Sequence, residues 1–261
     1  MKEEIIWELR SDKVKELAKQ GKRIDGRSFD EYRKLEIETG ISENAHGSCR
    51  VKLGETDVIA GVKFDVAEPY PDSPGEGSIT VGVELMPMAS PVFEPGPPRA
   101  DSIELARVTD RGIRESKAID FSELCITEGE HVWFAFIDLY IANDNGNLFD
   151  ACALSAIGAL LEAKIPKFED GKVIQKEFSG KLNLKKKPVL ATISKVAGVL
   201  LADALLAEEK ASEARFSVST TENEELCAFQ KGGSGTFTQK ELDQAIDLAI
   251  AKGKELRSHF K

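Results

Sequence analysis

Three arginines at helical spacing are the residues of this chain best suited to chemistry. Arg107, Arg111 and Arg114 stand at positions i, i+4 and i+7 of a stretch that reads as helix. At that spacing they lie within an arc of roughly 60° on one helix face. Arginine suits phosphate because its planar fork donates two parallel hydrogen bonds. Since the whole chain has a formal net charge of −10, this stripe predicts a local site for an anion.

The alternative is a solvated helix surface whose charges pair with one another. Glu104, Asp110 and Glu115 lie close to the arginines in the sequence. Asp110 with Arg114, and Arg111 with Glu115, have the i,i+4 spacing of ordinary helix salt bridges. Charge stripes on helices are commonly of this kind. Spacing alone leaves both interpretations open.

Two carboxylates form a second candidate site. Asp203 and Glu209 are six residues apart, at the predicted end of a strand and in the turn after it. Carboxylates at a strand end can hold a divalent cation or take part in acid–base chemistry. The neighbouring Glu208, Lys210 and Glu213 equally suit a solvated turn, so this alternative also stays open.

Other motifs argue against a metal site or a catalytic triad in this chain. Gly232–Gly235 resembles a phosphate cradle but lacks the Gly-Lys-Ser/Thr ending of a P-loop, which favours a turn before Thr238. His46, His131 and His259 are isolated from one another and from any nucleophile signature.

Composition narrows the class of protein. The 261 residues are 41% hydrophobic and 31% charged, which predicts packed domains. A pI near 5.0 argues against non-specific coating of nucleic acid by bulk charge. The four cysteines are scattered without a C-x-x-C pair, which argues against structural zinc and favours a reducing, cytoplasmic setting; they are Cys49, Cys125, Cys152 and Cys227.

No targeting or membrane segment is expected. The N-terminus carries Glu3 and Glu4 and lacks the apolar core of a signal peptide. The most apolar tract, Val189–Ala207, is interrupted by Lys195 and Asp203, so it reads as buried strand.

Hydrophobic periodicity predicts four helices. The first spans residues 2–20, the second spans 101–118 and carries the arginines, and the third spans 149–163. The fourth starts at the capping box of Thr238 and Glu241 and ends near Ser258. The apolar positions of the first two helices are Ile5, Ile6, Leu9, Val14 and Leu17, and Ile103, Ala106 and Ile113.

Strand patterns occur before and after a polar segment at 164–187, which reads as an irregular crossover. The strand candidates are Leu35–Glu38, Cys49–Leu53, Asp57–Val62, Ile79–Leu85, Val132–Ile141, Val189–Ile193, Val196–Ala202, Arg215–Thr220 and Leu226–Phe229. The predicted class is α+β, with mixed sheets backed by helices. The predicted domains are residues 1–187 and 188–261.

The order of motifs resembles the ribonuclease PH family. The motifs are Arg23-x-Asp25-Gly26-Arg27, Gly47-Ser48-x-x-Val51-x-x-Gly54-x-Thr56-x-Val58 and Glu104-x-x-Arg107-x-x-x-Arg111-x-x-Arg114, followed by the Asp144 turn and the Asp203 strand end. The resemblance implies the ribonuclease PH fold, with two β-α-β-type halves like the second domain of ribosomal protein S5. It also implies six-membered rings, RNA substrates and phosphorolysis from the 3′ end, by this chain or by a partner.

Departures from the family's pattern bear on catalysis. Catalytic relatives carry an Asp-Gly-Gly-Thr-Arg-type turn that holds the attacking phosphate, whereas this chain has Asn147 in place of the small hydroxyl residue and Leu148 in place of the arginine. Leucine cannot donate a hydrogen bond to phosphate. Glu209 stands where aspartate is usual, and Pro95–Pro98 precedes Arg99 where an arginine-rich loop is expected.

With these departures, the chain is most similar to the family's non-catalytic ring subunits of the archaeal exosome. The resemblance implies a ring of three heterodimers with a catalytic subunit, single-stranded RNA as ligand and RNA-binding cap proteins. Arg107, Arg111 and Arg114 would grip the RNA 3′ end. No cofactor is expected in this chain, and any Mg²⁺ belongs at the partner's site. The alternatives are a phosphate-dependent 3′-to-5′ exoribonuclease in its own right and a metabolic enzyme that binds a small phosphorylated substrate.

Overall fold

A computed structural model describes the backbone of residues 2–260 and the side chains of residues 8–174 and 176–260. The helices are α1 (Lys2–Lys19), α2 (Ala100–Glu115), α3 (Leu148–Glu162), α4 (Leu206–Ala211) and α5 (Gln239–Arg257). The strands are β1 (Leu35–Thr39), β2 (Gly47–Leu53), β3 (Thr56–Ala67), β4 (Ser78–Leu85), β5 (Cys125–Thr127), β6 (His131–Asn143), β7 (Lys164–Glu169), β8 (Lys172–Lys181), β9 (Val189–Val196), β10 (Val199–Ala202), β11 (Ala214–Thr220) and β12 (Leu226–Gly232).

Two larger sheets and a hairpin form the β structure of the described chain. The first sheet has the order β1-β2-β3-β6-β4, with β5 also on β6. Its β4–β6 pair is parallel, because the chain between them crosses over through α2. The second sheet has the antiparallel order β10-β9-β11-β12, and β7 pairs with β8. The predicted α+β class is confirmed.

Strand β6 and helix α3 form the centre of the core. Alternate β6 side chains, from Trp133 to Ile141, are buried, while Phe136 and Tyr140 between them are exposed. Helix α3 is buried on nearly every side and packs on both larger sheets. It approaches β2 closely at Gly158, where a Cβ atom would lie 2.4 Å from the Sγ of Cys49. This packing fixes the turn that precedes α3.

The predicted irregular crossover at 164–187 is wrong. Most of it is the β7–β8 hairpin, which turns at Asp170-Gly171 with positive φ at both residues. Such a pair of left-handed residues is what a two-residue hairpin turn requires, and Asp-Gly supplies it at low cost. High lysine content on both strands obscured this signal.

Two predicted apolar positions are exposed. Leu9 of α1 and Ile103 of α2 have 67% and 50% of their surface accessible. Val14 and Ile113 are buried as predicted, and Ile5 and Ile6 lie outside the described side chains. The stripe of α2 that packs inward is therefore displaced from the predicted one.

The capping box of α5 is confirmed. The Thr238 side chain accepts a hydrogen bond from the amide of Glu241, and the Glu241 carboxylate accepts one from the amide of Thr238. The division of the chain after residue 187 stays a prediction. Residues on both sides of that point, including Leu154 and Ile193, share one hydrophobic core.

Candidate nucleic-acid interface

Helix α2 carries the arginines on the side away from its packed face. Its buried face includes Leu105, Val108 and Ile113, and it packs on β4, α3 and β12. Gly112 lets the helix approach β11, where a Cβ atom would lie 3.2 Å from the Oγ of Ser219. The helix is thus held between the two larger sheets, and its other face is left to present charge.

The three arginines have different surroundings. The Arg107 side chain is 70% exposed, and its nearest carboxylate oxygen, on Asp110, is 4.0 Å away. Arg111 donates from Nη2 to Oε1 of Gln230 at 2.6 Å. Its Nε is buried without a hydrogen-bond partner among the described residues. One predicted arginine is therefore open to solvent and the second is partly committed.

Arg114 is the most committed of the three. Its guanidinium donates to both oxygens of Asp110, at 2.9 and 3.2 Å, and to the carbonyl of Ile79 at 3.1 Å. It also lies over the ring of Phe121, 5.4 Å from the centroid. Asp110 is buried, so this pair is more than a surface contact.

The self-paired interpretation of the stripe holds for one pair and fails for the other. Asp110 and Arg114 form the salt bridge that their spacing predicts. Arg111 instead turns away from Glu115 to Gln230 on β12, 119 residues along the chain. Arg107 keeps its charge in solvent. A role of the three residues in RNA binding stays a prediction.

A chain of hydrogen bonds connects the stripe to the interior. Gln230 donates to Oε1 of Glu104 at 2.8 Å, and Arg215 donates to Oε2 of Glu104 at 2.6 Å. The Arg215 guanidinium lies 4.1 Å from the ring centroid of Phe149 on α3. Sequence analysis did not identify Gln230, Arg215 or Phe149, because their relation to Glu104 arises from contacts between distant elements.

A cavity of about 460 Å³ adjoins this chain of contacts. Its lining is mainly apolar and includes Phe93, Leu148 and Phe149, with Arg215 and Glu209 among its polar groups. Leu148, which stands where the family's arginine is expected, thus forms part of an apolar wall. The cavity has a volume typical of small-ligand sites.

The Asp203 carboxylate is fully engaged inside the protein. Arg33 donates to Oδ1 and Oδ2 at 2.6 and 2.8 Å, and Arg27 donates to Oδ2 at 2.8 Å. Asn147 Nδ2 donates to Oδ1 at 2.9 Å. Burial by itself would raise the pKa of Asp203, but the hydrogen bonds and charge of Arg33 outweigh it and hold the pKa below its usual range. Two guanidiniums thus stand where a cation would have to bind, so Asp203 does not fit a metal ligand.

Glu209 has the opposite environment. Its Oε1 accepts a hydrogen bond from the amide of Asn147 at 2.8 Å. Burial and the nearby charge of Asp144 raise the pKa of Glu209 to about 7. Arg27 and Arg33 donate their hydrogen bonds to Asp203 and not to Glu209, so the two carboxylates do not share a guanidinium. Within residues 8–174 and 176–260, no cluster of three or more histidine, cysteine or acidic side chains could hold a metal ion.

Asn147 connects Glu209 and Asp203, because its backbone amide donates to the first and its side-chain amide to the second. It has left-handed backbone conformation (φ 59°) immediately before α3 and is 1% exposed. Its Nδ2 donates to Asp150 at 2.8 Å as well as to Asp203. Both donors of the amide are therefore used within the protein. A nearby buried salt bridge between Arg23 and Glu208 connects the N-terminal segment, which lies between α1 and β1, to α4.

The remaining sequence candidates have structural contacts. His46 is buried, and its Nδ1 accepts a hydrogen bond from the amide of Phe64 at 2.8 Å. His131 packs against the ring of Phe168. Gly232 ends β12, and the following glycine has the positive φ of a turn. No helix in the described part of the chain is both long and apolar enough to cross a membrane.

Comparisons with known proteins agree with this architecture. The family models for domain 1 and domain 2 of the 3′ exoribonuclease family (RNase PH) match residues 31–166 and 187–252. The exosome complex component Rrp42 of Methanopyrus kandleri is 44% identical, over 99% of this chain and 98% of its own length. The protein of the same name from Thermococcus gammatolerans is 46% identical, over 97% and 94%.

Solved structures show the same fold. A chain from an Archaeoglobus fulgidus exosome with RNA bound to the active site has a TM-score of 0.93 and 43% identity, covering 98% of this chain and 100% of that chain. A chain from an archaeal exosome core has a TM-score of 0.89 and 38% identity, with full coverage of both chains. The predicted ribonuclease PH fold is confirmed.

Proposed function

Because this chain belongs to the RNase PH family of 3′ exoribonucleases, we propose that it is a non-catalytic, RNA-binding ring subunit of an archaeal exosome. It assembles with a catalytic RNase PH-like subunit into a hexameric ring of three heterodimers in the cytoplasm, together with RNA-binding cap proteins. The ring degrades single-stranded RNA phosphorolytically from its 3′ end. The names of the similar proteins support membership of the complex.

The observation that carries the non-catalytic assignment is the engagement of Asp203. Its two oxygens accept hydrogen bonds from Arg27, Arg33 and Asn147. A carboxylate in this state cannot accept a proton from a reacting group or bind a metal without losing those partners. The side-chain amide of Asn147 likewise donates both of its hydrogens to groups within the protein, so it has no donor left for phosphate. The chemistry, and any Mg²⁺, then belong to the partner's site.

The contribution of this chain to the reaction is to hold RNA and to support the partner's active site. Arg107 is exposed enough to bind phosphate, and Arg111 can join it by exchanging its contact with Gln230. Arg114 follows, since its bonds to Asp110 compete. Phosphate contacts of this kind position the RNA but read little of its sequence. Holding the 3′ end at the shared interface would orient it for attack in the partner.

The first experiment measures phosphate-dependent degradation of single-stranded RNA by this chain alone, by its catalytic partner alone and by the mixture. Native mass determination of the mixture accompanies the assay. Activity only or mainly in the mixture, at a mass of about six subunits, is the expected result. Nucleoside diphosphate release by this chain alone would overturn the proposal and favour an exoribonuclease in its own right. A chain that stays monomeric and binds no RNA, either alone or in the mixture, would favour the metabolic enzyme.

The RNA-binding role is tested with the double variant Arg107→Ala, Arg111→Ala in the assembled ring. Loss of two phosphate contacts should weaken RNA binding and reduce the slope of log K against log salt by about 0.7 for each contact on single-stranded RNA. The matched control is Lys13→Ala, Lys34→Ala, which removes the same charge from exposed positions. Equal affinities and slopes for the two double variants would contradict an RNA contact at the stripe.

A further inference from the structure

Two buried oxygens in the centre of the molecule have no hydrogen-bond partner among the described residues. They are Oδ1 of Asn147 and Oδ1 of Asp150. Their residues are 1% and 0% exposed, and the two side chains are already joined, since Asn147 Nδ2 donates to Asp150 Oδ2 at 2.8 Å. Buried acceptors without donors are rare in folded proteins, so two on adjacent groups call for one common explanation.

The donors around Asp150 are distributed unequally between its two oxygens. Oδ2 accepts from Tyr32 Oη at 2.6 Å, from Asn147 Nδ2 at 2.8 Å and from the amide of Thr192 at 3.1 Å. Oδ1 accepts none. A carboxylate shares its charge between equivalent oxygens and gains from donors on both. A neutral carboxylic acid instead has one carbonyl oxygen that accepts and one hydroxyl oxygen that donates.

We propose that Asp150 is a neutral acid in the folded state shown here, and that its Oδ1 hydroxyl donates to Oδ1 of Asn147. With that proton, the acid and the amide form a cyclic pair of two hydrogen bonds, and both unpartnered oxygens are satisfied. The second hydrogen of Asn147 Nδ2 is directed to Asp203, as observed at 2.9 Å. One proton thus accounts for every polar atom of the two side chains.

The charged surroundings of Asp150 agree with a neutral group. Titratable side chains near it are Tyr32, which donates to it from the segment before β1, Cys152 on the same helix, and Asp203, which shares Asn147. The guanidinium of Arg33 is bonded to Asp203. Burial, partly offset by the hydrogen bond from Tyr32, raises the pKa of Asp150 to about 6.

The proton makes the junction between elements sensitive to pH. Asp150 holds α3 to β9 through the Thr192 amide and to the N-terminal segment through Tyr32. When the acid ionises, its Oδ1 and the Oδ1 of Asn147 become two facing acceptors with no hydrogen between them. Rotation of the Asn147 amide relieves this conflict only by withdrawing Nδ2 from Asp150 and Asp203. Rising pH therefore loosens the link between Asp203 and the turn before α3.

The test compares two isosteric substitutions in the full-length chain. Asp150→Asn reproduces the neutral acid, because its amide can donate to Asn147 Oδ1 and still accept at the other position. We expect its urea midpoint to equal or exceed that of the wild type at pH 7.5. Asp110→Asn is the matched control, since Asp110 is also buried but is paired with Arg114, and its midpoint should fall. A fall for Asp150→Asn as large as that for Asp110→Asn would overturn the proposal.

A measurement on the wild type keeps the proposal testable if Asp150→Asn fails to fold. The side-chain carboxyl carbon of Asp150 can be assigned through bonds by NMR in isotopically labelled protein and followed from pH 4 to pH 8. Its titration midpoint is expected at least one pH unit above the ordinary aspartate value of about 3.9. The Asn147 amide resonances should shift with the same midpoint. A midpoint less than one pH unit above that ordinary value, or Asn147 resonances that do not follow it, would refute the shared proton.

Discussion

Two groups of arginines in this molecule differ in burial, and the difference decides what each can do. Arg27 and Arg33 are 11% and 8% exposed at the side chain and surround the fully buried Asp203. Arg107 on α2 is 70% exposed, and Arg114 on the same face is 36% exposed. The buried pair has exchanged water for fixed partners, whereas Arg107 still has most of its hydration. The buried group is committed to contacts within the fold, whereas Arg107 keeps most of its side chain in solvent.

The comparison also shows how a buried carboxylate can stay charged while both of its oxygens are held by neighbouring side chains. Asp203 keeps its negative charge, since Arg33 holds its pKa low, but it has no unoccupied oxygen. Asn147 adds a donor that a serine or threonine hydroxyl would not place on two carboxyls at once. The same residues that fill the site thereby connect the N-terminal segment, α3 and the end of β10.

The largest expected effect is on stability, from Arg33→Ala. The variant leaves buried Asp203 with Arg27 as its remaining guanidinium and strips donors from the carbonyls of Asn145 and Gly146. Breaking a buried ion pair on one side costs about 3–5 kcal/mol. Urea unfolding at pH 7 measures it. Arg107→Ala is the control and should stay within about 0.5 kcal/mol of the wild type, as surface substitutions usually do.

An Arg33→Ala variant within about 1 kcal/mol of the wild type would contradict this prediction, because Arg33 would then behave like a surface charge. The double variant Arg33→Ala, Asp203→Ala separates the ion pair from the other contacts of Arg33. Removing both partners should recover part of the lost stability, because the buried carboxylate that lacked a counter-ion is then absent as well. No recovery in the double variant would locate the cost in the carbonyl contacts of Arg33 instead of the ion pair.

The next effect divides the stripe on α2 itself. Arg114→Ala leaves buried Asp110 with Arg107 at 4.0 Å, so we expect a loss of about 1–3 kcal/mol of stability and a smaller loss of RNA affinity than Arg107→Ala causes. Arg107→Ala should show the reverse, with weaker RNA binding by the assembled ring and unchanged stability. Urea unfolding and RNA titration at two salt concentrations measure the two quantities. If Arg114→Ala weakens RNA binding more than Arg107→Ala, exposure is not what selects the RNA-binding arginine.

Sequence patterns are sufficient where a local rule decides the structure. The capping box at Thr238 sets the start of α5, and the run from Val132 to Ile141 predicts most of β6. The 164–187 segment was missed although Asp170-Gly171 is a strong hairpin signal, because its lysine-rich strands do not alternate in hydrophobicity. Charged strands of a small two-stranded sheet bury too little to produce a pattern.

The candidate site was predictable as a set of residues and not as a set of contacts. Asp203 and Glu209 stood out by their spacing, and Asn147 stood out as a departure from the turn of the family that the chain resembles. The contacts of Arg27 and Arg33 with Asp203 join residues about 170 positions apart in the sequence, and the partner of Arg111 is 119 residues away. Spacing predicted Asp110 with Arg114 correctly and Arg111 with Glu115 incorrectly. Local spacing proposes pairs, but tertiary packing chooses between them.

The smallest effect contrasts Glu209 with Asp203, since guanidiniums donate hydrogen bonds to Asp203 but act on Glu209 only through their charge. The raised pKa of about 7 means that folded Glu209 binds a proton which the unfolded chain releases near 4.5, so this group lowers stability as pH rises through 7. Glu209→Gln removes that penalty. We expect the variant to exceed the wild type by about 1–2 kcal/mol at pH 8 and to match it at pH 4.5, because one pKa unit corresponds to about 1.4 kcal/mol and the adjoining cavity relieves part of the cost. Urea unfolding at both pH values measures the difference, in which the other titrating groups cancel. A pH-independent difference would mean that Glu209 is ionised like Asp203, and that hydrogen bonds from guanidiniums do not distinguish the two carboxyls.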